Sequence, residues 1–273
     1  MLEDEPLAPR RLSRLLLQRR DSIGTAYHVL TFEADTPIAA RAGQFAMVRS
    51  ATWGRAPLLP RPMSLLTAGD RPSILIKVVG EGTQRMAHAS SGEPFDVLAP
   101  LGRPWRACPP DRRAVLVAGG VGVAPLLYLA RELARAGTRP LALYGGRTAA
   151  DLPLDAELAA SADLHVATED GSRGTHGRVT ALLDRALDEL AAEQQPAKIY
   201  TCGPDAMMAA VARLCEARGV PCEVSLETPM ACGYGVCLGC PVPRRDAKSY
   251  LYACTEGPCV DAAAIDWSRG GAR

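Results

Sequence analysis

The sequence predicts a mixed β and α/β protein: an antiparallel β-barrel, then a doubly wound parallel sheet, then a small cysteine-rich unit. Three observations predict this class. Short apolar segments separated by Gly and Pro fill residues 10–105, as in small barrels. Apolar strands then alternate with helical segments of ten to fifteen residues, which is typical of a parallel sheet. Four cysteines are grouped within residues 232–254.

The barrel is predicted for residues 1–108. Residues 25–33 partly alternate apolar and polar side chains, as a half-buried strand does. Other strand-like segments lie at residues 45–50, 63–67, 73–79 and 95–98. About six short strands in some ninety residues favour a closed antiparallel arrangement.

The α/β domain is predicted for residues 109–222. Its strands are expected at residues 114–118, 140–144, 164–168, 198–202 and 221–225, and its helices at 125–136, 179–193 and 205–218. Residues 223–273 form the cysteine unit, which is too short to be stable without its metal.

Composition excludes several classes of function. The chain has 273 residues with 31 basic and 30 acidic side chains, a balance that argues against nucleic-acid binding or electrostatic membrane attachment. Residues 1–6 offer no apolar core for a signal peptide. The uncharged run 114–130 is too short and too rich in Gly to span a membrane. Nine cysteines, an odd number, then indicate a reducing cytoplasm.

The cysteine spacing predicts a metal centre. Cys232, Cys237 and Cys240 have the spacing C-x4-C-x2-C, and Cys254 follows after thirteen further residues. This is the plant-type pattern for two irons and two sulfides held by four thiolates. Structural zinc also takes four cysteines but favours two tight pairs, and a disulfide framework needs an oxidising compartment. Cys259 lies close enough to compete with Cys254 as the fourth ligand.

Two barrel motifs could bind a phosphate group. Arg61 begins a strand and offers a planar fork of donors for phosphate oxygens, and Ser64 follows on the same strand. Gly80 and Gly82, with Thr83, precede a short helix predicted at residues 84–89, where backbone N–H groups could face a pyrophosphate. Alone, an Arg-Pro pair is usually a surface turn and a Gly-x-Gly is usually a loop.

Two loops follow predicted parallel strands. The first contains Gly119, Gly120 and Gly122, and the second contains Cys202, Gly203 and Pro204. Ligands of open parallel sheets bind at the carboxyl ends of strands, so both loops should face one crevice. The first loop departs from the G-x-G-x-x-G order, so the dinucleotide fingerprint does not apply. A cysteine at this position could also be merely buried.

Glu169 and Asp170 end a third strand, close to where a ribose could sit. Two carboxylates would repel the extra phosphate of NADP and tolerate the hydroxyls of NAD. The alternative is an ordinary acidic turn.

Together these segments resemble the ferredoxin–NADP reductase superfamily, in which a flavin-binding barrel precedes a nicotinamide-binding domain. The matching segments are residues 43–45, 61–64, 80–83, 119–125 and 202–204. Residues 227–240 and 254–258 narrow the resemblance to the electron transfer subunits of class 1B dihydroorotate dehydrogenases. In that family the fourth ligand precedes an acidic-Gly-Pro segment, which selects Cys254 over Cys259.

The resemblance implies a role for each matching residue. Arg61 should contact the FAD phosphates, and Ser64 should lie near the flavin N5. Cys202 should lie close to the reacting nicotinamide ring, so Ser64 and Cys202 are the predicted catalytic residues. The other predicted cofactor-binding residues are Pro62, Met63, Lys77, Val78, Gly80, Gly82, Thr83, Gly119, Gly120, Gly122, Glu169, Asp170, Gly203 and Pro204. Met63 replaces the Tyr common in the superfamily and can still pack on the ring as a polarizable surface.

The resemblance also implies the cofactors and the partner: FAD, a 2Fe-2S cluster and NAD(H). A flavin belongs between the other two, because nicotinamide exchanges a hydride whereas the cluster handles single electrons. In the family, electrons from dihydroorotate pass through FMN in a catalytic partner subunit to this chain and on to NAD+, in pyrimidine biosynthesis. The expected assembly is a heterotetramer with two copies of each subunit.

Two alternatives use the same residues differently. Related diaphorase subunits serve hydrogenases, sulfide dehydrogenases and NADH-dependent ferredoxin:NADP oxidoreductases, so the partner decides the reaction. A zinc-stabilised, non-enzymatic binding module is the third hypothesis. Colour distinguishes it, because a flavoprotein with an iron–sulfur cluster is brown-orange and a zinc protein is colourless.

Overall fold

The structure is a computed structural model that describes residues 7–246 and 248–269. Residues 1–6, on which the expectation about a signal peptide rests, lie outside the described residues. Within the described part, none of the helices is both long and apolar enough to cross a membrane.

The N-terminal part is a closed antiparallel barrel of six strands, as predicted. The strands are β1 (Arg11–Ile23), β2 (Tyr27–Glu33), β3 (Phe45–Ser50), β4 (Arg61–Thr67), β5 (Ser73–Lys77) and β6 (Pro94–Leu101), with helix α1 (Glu81–His88) between β5 and β6. Their order around the barrel is β1-β2-β5-β4-β3-β6. Strand β1 has thirteen residues because its first half pairs with β6 and its second half with β2, which closes the barrel.

The second part is a sheet with helices packed against it. Its strands are β7 (Arg113–Gly119), β8 (Leu141–Gly146), β9 (Asp163–Thr168), β10 (Thr175–His176), β11 (Ala197–Cys202) and β12 (Cys222–Ser225). Its helices are α2 (Val123–Arg135), α3 (Asp155–Ser161), α4 (Val179–Ala192) and α5 (Asp205–Arg218), with short 3-10 turns at Gly120–Gly122 and Ala149–Asp151. These six strands are parallel, as predicted for five of them; the sequence did not predict the two-residue strand β10.

The strand order reverses next to β7. From β7 the chain moves outward through β8, β9 and β10, then returns to place β11 on the other side of β7. Such a reversal is the place where open α/β sheets bind ligands, because the loops after the two central strands diverge there. The loops that follow β7 and β11 are the two glycine-containing loops predicted to share a crevice.

The C-terminal part is not independent of this sheet. A hairpin of β13 (Pro241–Pro243) and β14 (Tyr250–Tyr252) precedes β15 (Cys259–Asp261), and 3-10 turns follow at Ala262–Ala264 and Trp267–Arg269. Strand β15 pairs antiparallel with β12 and becomes the seventh strand of the sheet. The predicted boundary after residue 222 therefore falls within β12, and the division into three domains stays a prediction.

Several element boundaries differ from those predicted. Helix α1 begins at Glu81 rather than at residue 84, so two of the predicted phosphate-binding residues lie inside its first turn. Helix α2 begins at Val123, two residues before Pro125. Proline is tolerated in the first turn of a helix, where its missing N–H would have no intrahelical partner.

A buried ion pair joins β11 to β12. Lys198 Nζ lies 3.3 Å from Glu223 Oε2 and donates to the carbonyl oxygens of Arg106 and Ala107 at 3.1 and 3.0 Å. Both charged side chains are almost fully buried. Burial raises the pKa of Glu223, and the Lys198 ammonium opposes that rise. Because Lys198 also donates to the carbonyl oxygens of Arg106 and Ala107, it holds the segment that connects the barrel to the sheet against strand β11.

Removing one member of this pair should destabilise the fold. Lys198→Met leaves the buried Glu223 carboxylate with only the exposed Arg106 guanidinium, whose Nε lies 3.6 Å from Oε1, at a cost of about 3–5 kcal/mol. Urea unfolding followed by circular dichroism measures the loss. The double variant Lys198→Met/Glu223→Leu should recover most of it, because no charge then stays buried. Equal losses in the single and double variants would contradict this account.

Candidate active site

A cavity of about 390 Å³ lies where the three parts of the chain meet. Its volume falls in the range of small-molecule pockets. The barrel contributes β4 residues 62–64 and the end of β5, the first glycine loop contributes Val121, and residues 226–230 contribute the third wall. The cavity is therefore bordered by each of the three predicted cofactor regions.

Arg61 and Gly82 lie against each other beside this cavity. A Cβ added at Gly82 would lie 2.5 Å from Nε of Arg61, so only a glycine lets the guanidinium pack on the first turn of α1. Nη1 of Arg61 donates to the carbonyl oxygen of Leu59 at 2.7 Å, which holds the side chain in place. The structure thus brings together a guanidinium and a helix N-terminus, both of which bind phosphate.

Thr83 is engaged within the loop before α1. Its Oγ1 accepts from the backbone N–H groups of Val79 at 3.0 Å and of Gly80 at 3.2 Å. The hydroxyl also lies 3.0 Å from the carbonyl oxygen of Gly80, to which it donates. Thr83 therefore orders the loop, and the N–H of Gly80 is already used.

The remaining predicted flavin contacts lie on β4 and β5. Pro62, Met63 and Ser64 line the cavity, and Ser64 is opposite Phe45 in the antiparallel register of β3 and β4. Val78 directly follows β5 and is only partly buried.

Lys77 also lines the cavity, but its ammonium is paired. Its Nζ lies 3.2 Å from Asp151 Oδ1 and 5.1 Å from the ring centre of Tyr27. Tyr27 in turn donates to Asp151 at 3.2 Å. The three side chains connect the barrel to the loop after β8.

The two glycine loops of the sheet are in direct contact. A Cβ at Gly122 would overlap the carbonyl oxygen of Cys202, and one at Gly203 would lie 3.0 Å from Cα of Gly119. Gly203 has a φ of +158° and Gly120 a φ of +53°, both unfavourable for other residues. Pro204 precedes α5 and accepts the N–H of Met207 at 2.8 Å. The two loops thus lie against each other, and their shared ligand crevice stays a prediction.

Cys202 and Glu227 differ in exposure. The Cys202 side chain is fully buried, and burial raises the pKa of its thiol well above the ordinary value. Glu227 lines the cavity and is open to it, yet protein surrounds the carboxyl on most sides. That burial, and then the charge of Asp205, raise the pKa of Glu227. Cys202 is thus a neutral thiol behind the cavity wall, whereas Glu227 faces the cavity.

Glu169 and Asp170 form an exposed turn after β9. Asp170 Oδ1 accepts from the hydroxyl of Ser172 at 2.6 Å and from its N–H at 2.9 Å, and these bonds lower the pKa of Asp170. Both residues follow the carboxyl end of β9, the second strand out from β7. The preference for NAD over NADP stays a prediction.

The four predicted ligand thiols form two pairs. Sγ of Cys240 lies 3.2 Å from Sγ of Cys254, and the Cys237 thiol is within hydrogen-bonding reach of Cys232. Burial, followed by the adjacent Cys240 thiol, raises the pKa of Cys254 to about 12. Burial also acts on Cys232, but N–H groups of the loop outweigh it and lower the pKa of that thiol to about 6.

Backbone donors surround the exposed pair. The N–H of Tyr234 donates to Sγ of Cys232 at 3.5 Å, and the N–H of Gly239 donates to Sγ of Cys237 at 3.4 Å. Such donors stabilise thiolates, the form in which cysteine binds metal.

The paired arrangement fits a two-iron cluster. Each iron of such a cluster takes two of the four ligands, whereas a single zinc needs all four around one point. The buried Cys259 thiol lies 3.7 Å from the carbonyl oxygen of Gly43, and the choice of Cys254 as the fourth ligand stays a prediction.

Comparisons with known proteins agree with this site. A family model described as the iron–sulfur cluster binding domain of dihydroorotate dehydrogenase B matches residues 227–266, and one for the oxidoreductase NAD-binding domain matches residues 116–213. The dihydroorotate dehydrogenase B (NAD(+)) electron transfer subunit of Geobacillus kaustophilus is 38% identical over 230 residues, 82% of this chain and 86% of its own. The same subunit of Desulforamulus reducens is 35% identical over 245 residues, 86% and 91% of the two chains.

Solved structures show the same architecture. The NADH-dependent reduced ferredoxin-NADP oxidoreductase superposes with a TM-score of 0.79 at 27% identity, covering 93% of this chain and 90% of the other. The ferredoxin reductase of carbazole 1,9a-dioxygenase shares the fold, with a TM-score of 0.69 at 21% identity over 79% of this chain and 68% of its own.

Fold and site together define an NAD-linked oxidoreductase subunit with FAD, a 2Fe-2S cluster and NAD(H), as the sequence predicted. The barrel, the parallel sheet and the C-terminal cluster-binding segment occur in the predicted order. The chain belongs to the family of dihydroorotate dehydrogenase B (NAD(+)) electron transfer subunits.

Three features of the site were not singled out from the sequence. Glu227 and Thr228 line the cavity, and Asp151 pairs with Lys77. Glu227 and Thr228 lie within residues 227–240, which carry the resemblance to the family. Their closeness to Cys232 in the sequence was therefore a signal that could have identified them. Asp151 carried none, because its partners are 74 and 124 residues away in the chain.

Gly82→Ala should weaken FAD binding. The added methyl group displaces the Arg61 guanidinium, and we expect affinity to fall about tenfold, equivalent to about 1.4 kcal/mol. Alanine favours a helix over glycine, so the loss will not reflect unfolding of α1. Flavin content after gel filtration and titration with FAD measure the effect. Gly54→Ala is the control, because a Cβ there meets no atom within 4 Å. Unchanged FAD affinity in Gly82→Ala would remove the basis for this contact.

Proposed function

We propose that this chain carries electrons between NAD(H) and a separate, FMN-containing catalytic subunit that oxidises dihydroorotate to orotate. One observation carries the proposal: Val121 of the first glycine loop and the segment that leads to Cys232 line the same cavity. Residues 226–230 line the cavity and lead directly to Cys232. When bound, FAD exchanges two electrons with nicotinamide and single electrons with an iron–sulfur cluster. A flavin in this cavity would therefore adjoin both.

The cavity residues have distinct proposed roles. Arg61 and the first turn of α1 bind the FAD phosphates, and Met63 and Ser64 contact the ring. The glycine crevice holds the nicotinamide, and its close backbone packing leaves no room for side chains there. Cys202, a buried neutral thiol, supports the crevice wall from behind. When Glu227 is ionised, its carboxylate repels other anions from the cavity.

The thiols bind the cluster in two pairs. Cys232 and Cys237 would hold one iron, and Cys240 and Cys254 the other, as their contacts favour. The first pair lies at the surface, where Cys237 is exposed. Backbone N–H groups of Tyr234 and Gly239 donate to the Cys232 and Cys237 sulfur atoms and favour their charged form. One edge of this loop is left open to a partner.

The exposed edge suits a protein partner. Val236 and Leu238 flank Cys237 and are 73% and 54% exposed, and Tyr234 is 38% exposed. Grouped exposed apolar side chains mark interaction surfaces, because burying them on association is favourable. We propose that the catalytic subunit covers this surface, in a heterotetramer of two copies of each chain. Free thiols at all nine cysteines support a cytoplasmic location.

A second candidate function follows from one observation. The NADH-dependent reduced ferredoxin-NADP oxidoreductase is similar over nearly the whole chain. The same cofactors in this chain could thus serve another flavoprotein partner. The partner, rather than the chain described here, decides between the two reactions.

Anaerobic affinity purification from the native host tests the proposed function. We expect an FMN-containing dihydroorotate dehydrogenase chain to copurify in equal amount, and the complex to reduce NAD+ with dihydroorotate. The absorbance of NADH at 340 nm should increase only when both chains are present. Recovery of a different flavoprotein, with no dihydroorotate-dependent NAD+ reduction, would transfer the chain to the second function.

Cys237→Ser should abolish the cluster while FAD is retained. Loss of one thiolate leaves an iron with a single protein ligand, so iron and sulfide content should fall to near zero. NADH-driven reduction of a small dye should persist, whereas transfer to the partner should stop. Cys259→Ser is the matched control and should keep full iron content, because Cys259 contacts Gly43 instead of the other thiols. Full iron content in Cys237→Ser would refute the ligand set.

A further inference from the structure

Thr228 carries a buried hydroxyl for which the described residues provide no hydrogen-bond partner. The residue is 8% exposed and lines the cavity. Native structures leave few buried polar atoms unpaired, and an absent ligand is one physical explanation of such an atom. The unpaired hydroxyl therefore marks a place where the cavity is incomplete without its ligand.

Three other buried side-chain atoms in the described residues lack a hydrogen-bond partner but do not carry the same meaning. They belong to Arg49, Asp155 and Glu223. The Asp155 and Glu223 atoms form ion pairs with Arg173 and Arg106. Each of these side chains has a second polar atom that is paired: Nη2 of Arg49, Oδ1 of Asp155 and Oε2 of Glu223. None of the three lines the cavity. Thr228 has a single polar side-chain atom, and that atom is unpaired.

Thr228 is held at a defined point. Strand β12 ends three residues earlier at Ser225, and the N–H of Leu226 donates to the carbonyl oxygen of Pro258 at 2.9 Å. Cys232 follows four residues after Thr228. The segment is thus fixed between the sheet and the thiol loop, and Thr228 cannot readily move to another partner.

Thr228 supplies a hydroxyl donor on this wall of the cavity. Glu227, its neighbour, accepts hydrogen bonds when ionised and cannot donate. Across the cavity Ser64 supplies a hydroxyl, and the ammonium of Lys77 is paired with Asp151. A hydroxyl can donate to the oxygen and nitrogen acceptors at a flavin edge, and it can also accept from an N–H gained on reduction.

We propose that Thr228 is a positioning residue for the flavin ring, with its hydroxyl donating a hydrogen bond to an acceptor at the ring edge. This inference rests on the proposed function, since it requires the flavin ring to occupy the cavity. The bond stabilises the reduced ring more than the oxidised ring, because reduction adds negative charge that a donor offsets. Thr228 thereby raises the flavin potential from the side that faces the cluster.

Thr228→Val and Thr228→Ser test the inference in the anaerobic holoprotein. Valine keeps the shape without the hydroxyl, and serine keeps the hydroxyl. Spectroelectrochemical titration gives the flavin and cluster potentials in one experiment, and FAD content is measured in parallel. In Thr228→Val we expect the affinity for reduced FAD, divided by the affinity for oxidised FAD, to fall about tenfold. This change lowers the two-electron flavin potential by about 30 mV. Thr228→Ser should match the unsubstituted protein, and the cluster potential should stay constant.

Two outcomes would overturn the inference. One is a flavin potential in Thr228→Val equal to that of the unsubstituted protein. The other is an equal shift in Thr228→Ser, which would assign the effect to packing. Gly82→Ala separates this failure from that of the proposed function. If Gly82→Ala loses FAD and Thr228→Val is unchanged, the flavin site stands and only the role of Thr228 fails. If the unsubstituted protein holds no FAD, both fail.

Discussion

The antiparallel pairing of β15 with β12 is the constraint on which the site depends. It returns the chain to the sheet after the thiol loop, so that residues 226–230 and Pro258 form one wall of the cavity. Glycines permit the close approach this return requires. A Cβ at Gly43 would lie 2.5 Å from Sγ of Cys259, and one at Gly102 would lie 2.5 Å from Pro258. The cysteine segment therefore packs on the barrel as well as on the sheet, and a flavin in the cavity would touch all three.

Burial and hydrogen bonding divide the thiols into different chemical kinds. Burial, followed by the charges of Glu227 and Glu223 respectively, raises the pKa of Cys202 and of Cys259 and keeps both thiols neutral in the packed interior. In the loop after residue 231, backbone N–H groups reverse that effect at Cys232 and favour its thiolate. The same side chain thus serves as a small apolar group in the sheet and as a metal ligand in the loop. The local backbone, rather than the residue type, makes the difference.

Patterns with short-range causes were predictable. Alternating strands and helices follow from hydrophobic periodicity, and the thiol spacing is set by how a loop wraps a compact cluster. The contact of Gly122 with Cys202 follows from parallel strand order once a ligand crevice is assumed. The role of the Thr83 hydroxyl was not predictable in the same way: it accepts from the backbone N–H groups of Val79 and Gly80. The predicted contact of Thr83 with the pyrophosphate stays a prediction.

By itself, the sequence predicted the fold class and the order of the parts, because both follow from hydrophobic periodicity within each segment. Its resemblance to a known family predicted the cofactor set, and the spacing of the four thiols predicted a cluster ligand set that stays a prediction. The tertiary structure decided the contacts that residue spacing in the sequence cannot predict. It paired Cys240 with Cys254, joined β15 to the sheet, matched Lys77 with Asp151 and left the Thr228 hydroxyl without a partner beside the cavity. These features depend on contacts between residues far apart in the chain, and packing alone fixes which distant groups meet.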